Sequence, residues 1–161
     1  MILYHGGTEI VEKPKILESA RLLDFGKGFY TTTNRDQAAR WAQKVAVRRK
    51  LSEKYISIYA FDAEAAEREL TILHFDRPDA VWLDFVSACR SDRQRADLEY
   101  DIVFGPVADD NVYAAIQLYE LGILDKAETL KRLKVESLYD QILFHTARAL
   151  TYCSFTGAEV L

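Results

Sequence analysis

Asp24-Phe25-Gly26-Lys27-Gly28-Phe29-Tyr30-Thr31-Thr32-Thr33 follows Leu3-Tyr4-His5-Gly6-Gly7 by about one element, and the fold is decided by reading the two together. Ile2 to His5 reads as a short buried strand, stopped by Gly6-Gly7. Gly26 and Gly28 supply positive φ or close backbone approach, which other residues resist. The Tyr-Thr-Thr-Thr run then has the aromatic and β-branched character of a strand over Phe29 to Thr33. Together they describe a pocket wall, with a strand ending in His-Gly and a glycine-hinged loop that sets Tyr30 on a second strand.

Outward from this pair, strands and helices interleave without a repeating strand–helix–strand spacing. That predicts an α+β fold rather than a doubly wound sheet. Residues 8 to 24 read as an irregular loop around Lys13-Pro14-Lys15, with a short turn of helix near Ser19. Asn34 is an N-cap, and Ala38, Trp41, Ala42, Val45 and Ala46 form an apolar stripe at helical spacing. Tyr55 to Phe61 alternates as a strand. A short helix follows over Ala63 to Glu69, then an extended piece over Leu70 to His74. Pro78 opens a helix with Val81, Trp82, Phe85 and Val86 on its buried face. Tyr100 to Phe104 is a strand closed by Gly105-Pro106. Asp109 or Asp110 caps a helix from Asn111 to Glu120 that Gly122 stops, and Asp125 to Lys134 is a second, shorter helix. Gln141 to Thr146 is a strand, Thr146 caps a short helix, and Tyr152 to Phe155 is the last strand.

The 161 residues, 49% hydrophobic and 12% aromatic, suffice for one packed domain over 1–161 and argue against disorder. A formal charge of −4 argues against nonspecific nucleic-acid binding as the main task. The basic clusters Arg48-Arg49-Lys50 and Arg90 to Arg95 read as solvated helix faces. Cys89 and Cys153 match no metal-ligand spacing and read as buried thiols, so no metal site is expected. Without a signal-peptide pattern or a membrane-length apolar run, the expected location is the cytosol.

Tyr4-His5-Gly6-Gly7 and Asp24 to Thr33 resemble the first two motifs of the ADP-ribosyltransferase superfamily, in the diphtheria-toxin-like branch that includes the poly-ADP-ribose polymerases. With Asp101-Ile102-Val103-Phe104-Gly105-Pro106-Val107-Ala108-Asp109-Asp110 and Gln141-Ile142-Leu143-Phe144-His145-Thr146, the whole chain resembles a bacterial family of ADP-ribosyltransferase-like domains of unknown function. The resemblance implies two small, mostly antiparallel sheets around an NAD cleft, with NAD as co-substrate. His5 is then a contact of the adenosine ribose. Gly6 offers its backbone N–H and C=O to the nicotinamide carboxamide, Gly28 belongs to the NAD-binding loop, and Tyr30 packs along the nicotinamide. Trp41, eleven residues beyond Tyr30, is a second aromatic wall. A planar pyridinium cation is well held between aromatic faces.

The resemblance places a Glu at the entry to a late strand, where this chain has Gln141. A neutral amide can donate and accept hydrogen bonds but carries no charge. That departure disfavours polymer synthesis and favours transfer of a single ADP-ribose. It leaves Glu136, Asp109 or Asp110 to supply the carboxylate. The expected catalytic set is Gln141, Tyr30 and His5, acting on a protein or nucleic-acid acceptor. The resemblance also implies an intracellular toxin with a small neutralising antitoxin partner. NAD glycohydrolysis and a nucleotide- or protein-binding pseudoenzyme are the alternatives. Taken singly, His5 also fits a satisfied core histidine, Tyr30 and Trp41 fit core packing, and Asp109-Asp110 fits helix capping. His74 and His145 read as structural.

Overall fold

A computed structural model describes residues 1–16, 23–91, 99–107, 110–133 and 139–161. The turn expected near Ser19 lies outside the described residues. The first sheet runs β1 (Ile2–Gly7), β3 (Tyr55–Phe61) and β7 (Cys153–Val160), all antiparallel. The second has the order β2 (Phe29–Thr31), β6 (Asp140–Phe144), β5 (Ile102–Pro106) and β4 (Ile72–His74). Its pairs are antiparallel except β4 with β5, whose parallel register needs the crossover that contains α3 (Ala80–Ser91). The fold is therefore α+β with two small, mostly antiparallel sheets.

The sheets face each other through Leu3, Tyr59 and Phe61 on one side and Phe29, Ile102, Ile142 and Phe144 on the other. Alternation along the strands sends Val103 and Leu143 to the opposite face of the second sheet. There they meet Trp82, Leu83 and Val86 of α3, Val112 and Ile116 of α4 (Asp110–Glu120), and Leu133 of α5 (Lys126–Leu133). Side chains this size contribute about 1.5–3 kcal/mol each when fully buried, so these two layers carry most of the stability.

Asn34 caps α1 (Arg35–Arg49) as its side chain accepts a hydrogen bond from the Gln37 N–H at 2.8 Å. The helix buries Ala38, Ala42 and Ala46. Trp41 does not join that stripe and stays 43% exposed. The contact explains this, because a Cβ on Gly6 would lie 1.9 Å from the Ala38 carbonyl oxygen. Backbones that close admit alanines between them and push an indole to the rim.

Other boundaries also moved. Gly6-Gly7 lies within β1 rather than ending it, and Gly105-Pro106 within β5 opposite Gln141 and Asp140. β7 extends to Val160, past the expected Phe155. On α3 the buried set is Trp82, Leu83, Val86 and Cys89, while Val81 is 67% exposed. The helix turns Leu83 inward because sheet and helices meet it from both sides, a demand invisible to a one-face periodicity. Arg90 is not solvated: it lies 3.5 Å from Asp24, 3.7 Å from Glu120 and over the Tyr113 ring. Two short helices, α2 (Ala63–Glu69) and α6 (Ala147–Leu150), fall where Asp62 and Thr146 cap them. Among the described residues no helix is long and apolar enough to cross a membrane.

Candidate functional site

The two sheets are stitched at one point. Tyr4 and Thr32 exchange both backbone hydrogen bonds, at 2.9 and 3.0 Å. In an antiparallel pair, alternate residues point their N–H and C=O to opposite edges. Tyr4 turns away from β3 to reach Thr32, so Gly6, two residues on, turns its own N–H and C=O to that same edge. The result is an adjacent donor and acceptor on an edge strand, next to His5.

His5 is fixed from its other side. Its Nδ1 lies 2.7 Å from the Tyr30 carbonyl oxygen, and its ring stacks on Phe29 at 4.5 Å. A carbonyl only accepts, so Nδ1 carries the proton and Nε2 keeps a lone pair in the neutral ring. Burial pushes the His5 pKa below its ordinary value, and the Tyr30 carbonyl only partly offsets this. The imidazole is neutral at pH 7. It presents Nε2 as an acceptor beside Gly7, whose added Cβ would stand 3.5 Å away.

The glycine loop is closed by Tyr30 itself. Its hydroxyl donates to the Gly26 carbonyl at 2.7 Å and accepts from the Phe25 N–H at 3.2 Å. Gly26 has φ of 88° and Gly28 of 153°. At Gly28 an added Cβ would lie 2.2 Å from the Phe144 carbonyl oxygen, so its missing side chain makes room for β6. The Tyr30 ring packs against the helix-covered side of the second sheet, opposite Leu143 in register. His5 therefore meets the main chain of Tyr30, while the Tyr30 ring and the His5 ring lie on opposite faces of β2.

Gln141 shares the Leu143 face by alternation and is only 6% exposed, with Nε2 3.4 Å from the Pro106 carbonyl. Trp41 points outward and is met by the Arg48 guanidinium at 5.7 Å, not by Tyr30. Asp109 and Glu136 lie outside the described residues, and Asp110 begins α4. His145 Nδ1 lies 2.8 Å from the Lys27 carbonyl, and His74 sits 2.8 Å from Glu67 with its ring stacked on Phe104.

The sequence reading missed Asp140, the residue just before Gln141. Its Oδ1 accepts from the Thr32 hydroxyl at 2.6 Å and the Thr33 N–H at 2.9 Å, and its Oδ2 accepts from the Thr33 hydroxyl. Thr32 has one hydroxyl proton, and the carboxylate holds it at the shorter distance. Gln37, 3.1 Å from that same oxygen, must then turn its amide N–H toward Thr32. Asp140 thus pins the β2–α1 junction to the start of β6. Three consecutive threonines needing an acceptor were the signal that could have found it.

An open groove of about 430 Å³ lies elsewhere, on α4, lined by Ala114, Gln117, Leu118, Glu120 and Leu121. Among the described residues no group of three His, Cys, Asp or Glu is placed to hold a metal ion.

Residues 1–155 match the family described as "Protein of unknown function (DUF3990)", and the chain belongs to that family. No curated protein matches it.

Proposed function

We propose that this protein is an NAD-dependent mono-ADP-ribosyltransferase whose co-substrate binds at the meeting of β1 and β2. The observation that carries this reading is the Gly6 edge beside His5. A primary carboxamide needs one donor and one acceptor side by side, and the edge N–H and C=O of Gly6 supply that pair. His5, kept neutral by burial and fixed in one tautomer by the Tyr30 carbonyl, adds an acceptor for a ribose hydroxyl. Motif order and the α+β architecture of two small sheets support the reading from independent directions.

The chemistry is displacement at the C1′ carbon of the nicotinamide ribose. The C1′–N bond breaks, its electron pair leaves with nicotinamide, and an acceptor oxygen or nitrogen bonds to C1′ as it sheds a proton. The chain's residues orient the carboxamide through Gly6 and a hydroxyl through His5. Asp140 holds the start of β6 against the β2–α1 junction while Gln141 reaches the Pro106 carbonyl of β5, and Asp140 is a carboxylate near the position where the resemblance expects one. Purified protein with a cell extract should release nicotinamide from NAD+, strongly slowed by His5→Ala. A folded protein that neither binds nor consumes NAD+ would refute the reading. Radiolabelled NAD+ separates transfer, with label on a macromolecule, from glycohydrolysis, with free ADP-ribose.

One observation favours a second reading, a nucleotide-binding protein without turnover. Gln141 is neutral and buried, and the Tyr30 hydroxyl is spent on its own loop. NAD+ binding with no nicotinamide release would select it. The toxin role and a small neutralising partner rest on the resemblance, and growth arrest on expression, relieved by His5→Ala, tests them.

A further inference from the structure

The outward face of α1 carries a charge pattern at odds with the chain around it. Residues 35–54 hold seven Lys and Arg against two Asp and Glu, in a protein with 21 basic and 25 acidic residues overall. At about 100° per residue, Arg40, Trp41, Lys44 and Arg48 fall within one stripe roughly 100° wide. All four are exposed. The opposite face is the alanine strip against β1, so the stripe is the solvent side by necessity.

Two exposed aromatic rings on this side are each covered by a guanidinium. Arg48 lies 5.7 Å over Trp41, and Arg40 lies 4.7 Å over Tyr139. Tyr139 immediately precedes Asp140, and Asp140 holds Thr33, the residue before the Asn34 N-cap of α1. The stripe therefore starts at the junction that bears the candidate site and runs away from it along the helix. Planar rings interleaved with fixed positive charge suit bases that stack and phosphates that track past them.

We propose that this face binds single-stranded nucleic acid, stacking bases on Trp41 and Tyr139 and contacting phosphates through Arg40 and Arg48. Under the transferase reading, on which this extension rests, the strand is the acceptor and α1 leads it to the site. Binding itself requires no NAD+.

Fluorescence anisotropy with labelled oligo(U) and oligo(dT), at several salt concentrations and without NAD+, tests the surface. The wild type should bind, and Arg40→Glu/Arg48→Glu should weaken binding at least about tenfold and lower the salt slope by about two. Trp41→Ala should weaken it by about tenfold with the slope unchanged. Thermal melts of both variants should match the wild type, since the residues are exposed. No binding at low salt, wild-type affinity in the charge-reversed variant, or equal affinity for a polyglutamate peptide would overturn the proposal; the last would assign the face to an acidic protein. If oligonucleotides bind but NAD+ is never consumed, the transferase reading falls and the surface stands. If NAD+ is consumed while oligonucleotides do not bind, the surface alone falls.

Discussion

His5 Nδ1 lies 2.7 Å from the main-chain carbonyl oxygen of Tyr30, which ties the first sheet to the second one residue past the Tyr4–Thr32 bridge. That single contact fixes a tautomer, sets Nε2 as an acceptor, and couples the order of the site to the packing of both sheets.

The depressed pKa of His5 makes folding stability depend on pH. The unfolded chain takes up a proton near pH 6.5, while the folded chain resists until lower pH. The contribution is therefore fully present above about pH 6.5 and is lost as pH falls through the lower folded value. Melting temperature of the wild type should drop across that window. His5→Asn, whose amide N–H can still reach the Tyr30 carbonyl, should show a flatter profile over the same range. Parallel profiles would mean that His5 titrates normally.

Gly6→Ala should be among the most damaging single changes. Its Cβ would meet the Ala38 carbonyl oxygen at 1.9 Å, and backbone on both sides cannot yield cheaply. Overpacking of this kind costs about 1–3 kcal/mol or more. Gly157→Ala, whose Cβ meets nothing within 4 Å, should stay within about 0.5 kcal/mol of wild type. Denaturant midpoints of the pair measure the contrast.

Much of this was readable before any coordinates. Asn34 announced α1, Thr146 preceded its helix, the helix over Ala63 to Glu69 was expected at those bounds, and Tyr55 to Phe61 is β3 to the residue. Caps and alternation are local, and local patterns survive in sequence. What failed was set by distant partners. Val81 is solvent-facing because Leu83 is needed between α3 and the sheet, and Gly105-Pro106 stays extended because Gln141 and Asp140 pair with it. The strand order β2-β6-β5-β4 joins segments more than a hundred residues apart, and no periodicity encodes it. At the site, His5, Gly6 and Tyr30 were legible as a pair of motifs. Asp140 was not, because its acceptor role depends on Thr32 and Thr33 arriving from the far end of the chain.

Asp140→Ala should expose that role. It leaves the part-buried Thr32 hydroxyl without its carboxylate acceptor, at a cost of about 1 kcal/mol, and releases the exposed Thr33 N–H and hydroxyl to water. Hydrogen exchange at Thr33 and in the first turn of α1 should rise more than exchange in β3. Uniform exchange across the chain would show that Asp140 does not pin the junction.

Cys153 should be a poor nucleophile in the folded protein. Burial pushes its thiol up to about 12, so at pH 8 its thiolate fraction is about a thousandfold below that of an ordinary thiol. Cys89 is buried, and neither cysteine is in a disulfide. A chromogenic disulfide reagent should label both slowly in buffer and rapidly in denaturant. Fast native labelling of half-buried Cys153 would contradict its raised thiol pKa.

Nicotinamide release from NAD+ tests the central claim most directly, measured by chromatography with cell extract as the acceptor source. The account predicts release by the wild type, and a rate at least about tenfold lower in His5→Ala at equal folded fraction. A folded wild type that neither binds NAD+ nor releases nicotinamide, or a His5→Ala variant as fast as wild type, would contradict it.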